Sequence, residues 1–137
     1  MESIALQLLL YTALSAACLM LIQVVLMFSV IKSRGDLSIF IGHGDNSMLE
    51  RKIRAHGNFI ENVPTFLIGL LLLELMIGSG LWVLVLGAVV VVARLSHAIA
   101  LMANSGVTAG RLIGTLGTVI PTVVTAGYLI LLAVGKF

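Results

Sequence analysis

Four long apolar stretches alternate with short polar connectors along this chain, at about residues 4–31, 48–77, 81–102 and 112–134. Each reaches the roughly 20 residues that an α-helix needs to cross a bilayer. The pattern predicts an all-α, integral membrane four-helix bundle, a single domain over residues 1–137. Gly78-Ser79-Gly80 is so short a connector that the second and third helices must form an antiparallel hairpin. The longer connectors are Lys32–Ser47 and Ala103–Gly110. Pro64 and Pro121 fall inside the second and fourth stretches, where a missing backbone donor can bend a helix.

Composition sharpens this picture. The chain is 60% hydrophobic and 10% charged, with a mean hydropathy of +1.18, which excludes an ordinary soluble domain. The formal net charge of +2 says little about partners, and no nucleic-acid partner is expected. The one cysteine, Cys18, cannot form an internal disulfide and reads as a small buried hydrophobe. Ser15-Ala16-Ala17-Cys18 hints at a lipoprotein cleavage site. The opening Met1-Glu2-Ser3 lacks a basic segment, however, and the apolar run continues to Ile31, so it reads as a span rather than a leader.

Charge placement orients the spans. Lys32, Arg34, Arg51, Lys52 and Arg54 cluster around the first connector, and Arg111 ends the third. The positive-inside rule therefore puts these connectors in the cytoplasm and both termini on the opposite side. Trp82 and Tyr128 fall near that far interface, as aromatic anchors do. Gly110 and Gly114 have the small-xxx-small spacing that lets membrane helices approach closely.

The candidate chemistry lies at the polar start of the second stretch. Arg51, Arg54, Asn58, Glu61, Asn62 and Thr65 recur at three- and four-residue spacing, forming one stripe that descends into the membrane. Lys52 and His56 point elsewhere, and Lys52 reads as an interfacial anchor. Charges at membrane depth are costly and face protein, water or a ligand. Arg94 and His97 supply a second set on the third helix. Helical rise puts Glu61 and Arg94 at similar depth, about 10–12 Å inside their ends, so they are expected to pair within a subunit or across an interface. Arg111 opens the fourth helix, where the dipole and unpaired amides already favour an anion. No metal ligand set is expected.

These segments resemble the membrane-associated proteins in eicosanoid and glutathione metabolism (MAPEG), in a bacterial form. The likeness rests on Glu50-Arg51-Lys52-Ile53-Arg54-Ala55-His56-Gly57-Asn58-Phe59-Ile60-Glu61-Asn62-Val63-Pro64, on Ala93-Arg94-Leu95-Ser96-His97, and on Arg111. The resemblance implies a homotrimer in a bacterial inner membrane. Its cytoplasm-facing site would take glutathione as co-substrate and a lipophilic small molecule from the membrane lipids. It carries Arg51, Arg54, Asn58, Glu61, Arg94 and His97 over as glutathione-binding residues, and Arg111 as the catalytic residue that stabilises the thiolate. The implied activity is that of a glutathione-dependent transferase or peroxidase. Gly57, Leu101 and Leu112 depart from polar residues of several family members. A non-catalytic binder of an anionic lipid or small molecule is the alternative. A small multidrug transporter fits less well, since the first helix offers only Gln23 where a carboxylate is needed.

Overall fold

A computed structural model describes residues 9–104 and 106–135. The described chain forms helices α1 (Leu10–Leu37), α2 (Ser47–Ile77), α3 (Leu81–Ala103) and α4 (Ala109–Val134). All four are long and apolar enough to cross a membrane. The all-α membrane bundle expected from the pattern is therefore present. The part of the first span before residue 9 lies outside the described residues.

Helix α1 runs six residues beyond the expected end at Ile31, to Leu37. The apolar run measures the bilayer, whereas the helix continues until its backbone is stopped. The extra turn is supported by a Lys32 Nζ–Asp36 Oδ2 pair at 3.1 Å. It ends where Ser38 adopts a left-handed conformation (φ 54°). The Ser38 and Ile39 amides then donate to the carbonyls of Gly35 and Arg34, a Schellman stop. Helix α2 begins at an Asn46 cap, whose side chain accepts from the Leu49 amide at 2.9 Å. Helix α4 starts three residues earlier than expected, because the Thr108 hydroxyl caps it. Both α2 and α4 continue through their prolines.

The core lies in two tiers. Leu19, Leu26, Phe59, Val63, Ala98 and Leu101 join α1, α2 and α3 toward the arginine-rich end. Phe66, Leu70, Leu73, Val83, Leu86 and Val90 join α2 and α3 toward the other. Helix α4 approaches α3 through Gly110, Gly114 and Gly117, as the small-residue spacing anticipated. A methyl group on Gly114 would collide with His97 and the Ala93 carbonyl, so only glycine permits this approach.

The end of the bundle away from the arginines holds a buried carboxylate. Glu74 is fully buried and accepts from the Tyr11 amide (3.0 Å), the Thr12 amide (2.7 Å) and the Ser79 hydroxyl (2.6 Å). It thus caps the first turn of α1 from α2, satisfying backbone donors that the helix itself cannot. A lone acidic residue one turn before Gly78-Ser79-Gly80 was the sequence signal for it.

Candidate functional site

At the end where α2 and α4 begin, a cleft of about 410 Å³ opens between α2, α3 and α4. That lies within the roughly 300–1,000 Å³ common for small-molecule sites. Helix α2 contributes Arg51, Arg54 and Asn58, helix α3 contributes His97 and Leu101, and helix α4 contributes Arg111 and Thr115. Ser47 and Glu50 complete its rim. Five of the seven expected site residues therefore share one cleft.

Each is placed by the helix that carries it. Arg51 Nε donates to the Met102 carbonyl at 3.2 Å, tying the start of α2 to the end of α3. Arg54 is exposed, leaving its guanidinium at the cleft mouth. Arg111 Nη1 donates to the Gly106 carbonyl at 2.7 Å, which anchors the connector ahead of α4. His97 Nδ1 lies 3.2 Å from the Arg111 carbonyl. A carbonyl only accepts, so Nδ1 carries the proton in this contact; in the neutral tautomer that leaves Nε2 as the accepting nitrogen. The Thr115 hydroxyl donates to the same carbonyl at 2.9 Å.

Arg94 and Glu61 depart from the expected arrangement. Within the subunit they do not pair. Arg94 is 2% exposed and lies behind the cleft wall, its Nη2 donating to Asn58 Oδ1 at 2.7 Å. Its guanidinium carbon sits 5.7 Å from the Phe59 ring centroid, close enough for a cation–π contact. Its Nε is buried without a hydrogen-bond partner among the described residues. Glu61 is instead exposed on the outer face of α2 and has no ion-pair partner among the described residues. Equal depth does not fix direction around the helix axis, and packing turns Arg94 toward Asn58, one turn from Glu61. The stripe thus divides. Arg51, Arg54 and Asn58 line the cleft, whereas Glu61, Asn62 and Thr65 face outward. Lys52 leaves the stripe as expected, but it is more than an anchor, since its Nζ donates to the buried Ser33 hydroxyl of α1 at 2.6 Å.

Three cleft residues were not singled out from the sequence. Ser47 and Glu50 precede Arg51 and Arg54 by one turn, and Thr115 follows Arg111 by one turn. The same helical spacing that defined the stripe would have found them.

The arrangement concentrates cations. Three arginines line the cleft and a fourth lies behind Asn58, against one lining carboxylate, Glu50. Planar guanidinium donors hold carboxylates through paired charge-assisted hydrogen bonds. The MAPEG family model matches residues 9–131. The chain belongs to the MAPEG family. It is also 35% identical over 89 residues to Escherichia coli "Inner membrane protein YecN", in strain K12 and in strain O6:H1. That match covers 64% of this chain and 64% of each relative, a little under two thirds of their length. No solved structure gives a significant match. This MAPEG protein is thus a multi-pass membrane protein of a family associated with glutathione and eicosanoid metabolism.

Proposed function

We propose that this MAPEG protein is a glutathione-dependent membrane transferase or peroxidase acting on lipophilic electrophiles. The observation that carries the reading is the convergence of Arg51, Arg54, Asn58, His97 and Arg111 on one cleft. Glutathione presents two carboxylates, which suit the arginines at the mouth. A free thiol has a pKa of about 8.5, and a neighbouring cation raises its thiolate fraction. Arg111 takes that part, while Asn58 and the Nε2 of His97 supply polar contacts for the peptide. In transfer, the thiol proton leaves to solvent, the sulfur forms a bond to the electrophilic carbon, and the leaving group departs with its electron pair. In peroxide reduction, sulfur attacks one peroxide oxygen and the O–O bond breaks, releasing the alcohol. A second glutathione thiol then resolves the sulfenic acid to the disulfide.

The same reading includes assembly and place. Glu61 and Asn62 face outward at membrane depth, where lipid cannot solvate them. Neighbouring copies in a homotrimer would cover them, with Glu61 meeting a polar group of the next subunit. The excess of Lys and Arg at the cleft end supports a cytoplasmic position for that end, with both termini periplasmic. The relatives' name agrees with an inner-membrane location.

The test is calorimetric glutathione binding and conjugation of a hydrophobic electrophile by the purified protein. Arg111→Ala should lower turnover at neutral pH by at least about tenfold, through the lost thiolate fraction. Equal turnover in the two proteins would remove Arg111 from the chemistry. A second reading, non-catalytic binding of an anionic lipid, is favoured by Leu101 in the cleft wall and by the open space beside Gly57. Phospholipid retained through purification, with no thermal shift on adding glutathione, would select it.

A further inference from the structure

The connector between α1 and α2 holds two of the most exposed large apolar side chains in the molecule, Phe40 at 76% and Ile41 at 93%. The backbone around them is closely determined. After the stop at Ser38, the Arg34 guanidinium donates to the carbonyls of Ile39 (3.1 Å) and Gly42 (2.9 Å). Ile39 turns inward against Gly44, where even a methyl group would lie 2.9 Å from its Cδ1. Gly42, Gly44 and Asp45 all have positive φ, at 68°, 55° and 57°. Sequence and geometry thus leave Ile39 half-buried and hold Phe40 and Ile41 out on a clamped tip.

The height of that tip can be placed. The Lys52–Ser33 hydrogen bond lies where the apolar run of α1 gives way to charge at Lys32. Leu37 follows Ser33 by four residues, about 6 Å of helical rise. The headgroup layer on each side of a bilayer is about 5–7 Å deep. Arg34 lies on a helix leaving the membrane, and helical side chains lean toward their N-terminus, so its clamp draws the loop back toward the lipid. Two large apolar residues held at this height meet the boundary of headgroup and acyl chain.

We propose that Phe40 and Ile41 form a membrane-dipping lip, inserted into the leaflet at the arginine-rich end of the protein. The partner is the lipid surface itself. Lys32 and Asp36, exposed on the last two turns of α1, supply charges of both signs at headgroup level. After four intervening residues the chain reaches Asn46 and Ser47, and Ser47 lines the cleft.

The experiment places a tryptophan at the tip. Phe40→Trp and Ile41→Trp would each be made on a Trp82→Phe background and reconstituted with phosphatidylcholine carrying brominated acyl chains. Wild-type Trp82 provides the benchmark for a membrane-interface residue. The expected result is that bromolipid quenches each tip tryptophan to at least half the extent seen for Trp82, while aqueous iodide quenches it little. Strong iodide quenching without bromolipid quenching would overturn the proposal, because the tip would then stand in water. Protection from both quenchers would also overturn it, because protein would cover the tip. Should either variant misfold, a nitroxide on Ile41→Cys in a Cys18→Ala background gives the same answer. Its relaxation must respond more to membrane-dissolved oxygen than to an aqueous nickel chelate.

Discussion

Glu74 and the arginine cleft are two polar regions at opposite ends of one apolar bundle, and they are finished in opposite ways. Glu74 is enclosed and receives three donors, two of them backbone amides of another helix. The cleft keeps Arg54 exposed at its mouth. Hydrocarbon makes every unsatisfied polar group expensive. A carboxylate that meets its needs internally therefore reads as part of the scaffold. A charged group left exposed, as Arg54 is, stays available to something outside the subunit. Polar residues at membrane depth separate by how their hydrogen bonds are finished, not by their depth.

Substitutions can break this contrast. The largest effect is expected from Glu74→Ala, which strands the Tyr11 and Thr12 amides. Each buried donor left without an acceptor costs about 1–3 kcal/mol, so thermal unfolding in detergent should shift down by several degrees. Anion affinity of the surviving folded protein should not change, and a changed affinity would show that the two ends are coupled. Gly114→Ala comes next. Overpacking costs about 1–3 kcal/mol, and it should push α4 from α3 and weaken binding as well as stability. Unaltered binding to this variant would mean that the His97–Arg111 contact is dispensable to the cleft. Asn58→Ala removes the acceptor of Arg94 and should cost about 1–3 kcal/mol, whereas Asn58→Asp, which offers a charge, should restore most of it. Failure of the aspartate to do better than alanine would argue that Arg94 is held by Phe59 instead. The smallest change in stability is expected from Arg54→Ala, within about 0.5 kcal/mol for an exposed residue. It should nonetheless weaken anion binding in titration calorimetry, the reverse of the Glu74 result.

The spans were legible in the sequence because hydrocarbon imposes a length and a composition that few other environments demand. The site was partly legible for a related reason. Arg51, Arg54 and Asn58 share a face by helical arithmetic alone, and their convergence with His97 and Arg111 followed from the antiparallel run of helices. What the arithmetic could not supply was rotation about each axis. Glu61 and Arg94 agree in depth yet face different neighbours, because side-chain packing of Phe59 and Asn58 decides where α3 turns its arginine. In the sequence Glu74 is one acid within an apolar run. Its meaning depended on the distant first turn of α1, a relation no local pattern records.

That relation bears on how the protein is made. The Tyr11 amide finds its acceptor 63 residues further along the chain. During synthesis α1 leaves the ribosome first, with its opening turn still lacking that cap. The cap arrives only when α2 has been built and Ser79 has turned the chain back toward α3. Until then those amides need another acceptor. Glu74 thereby makes the opening turn of α1 complete only once α2 is in place beside it.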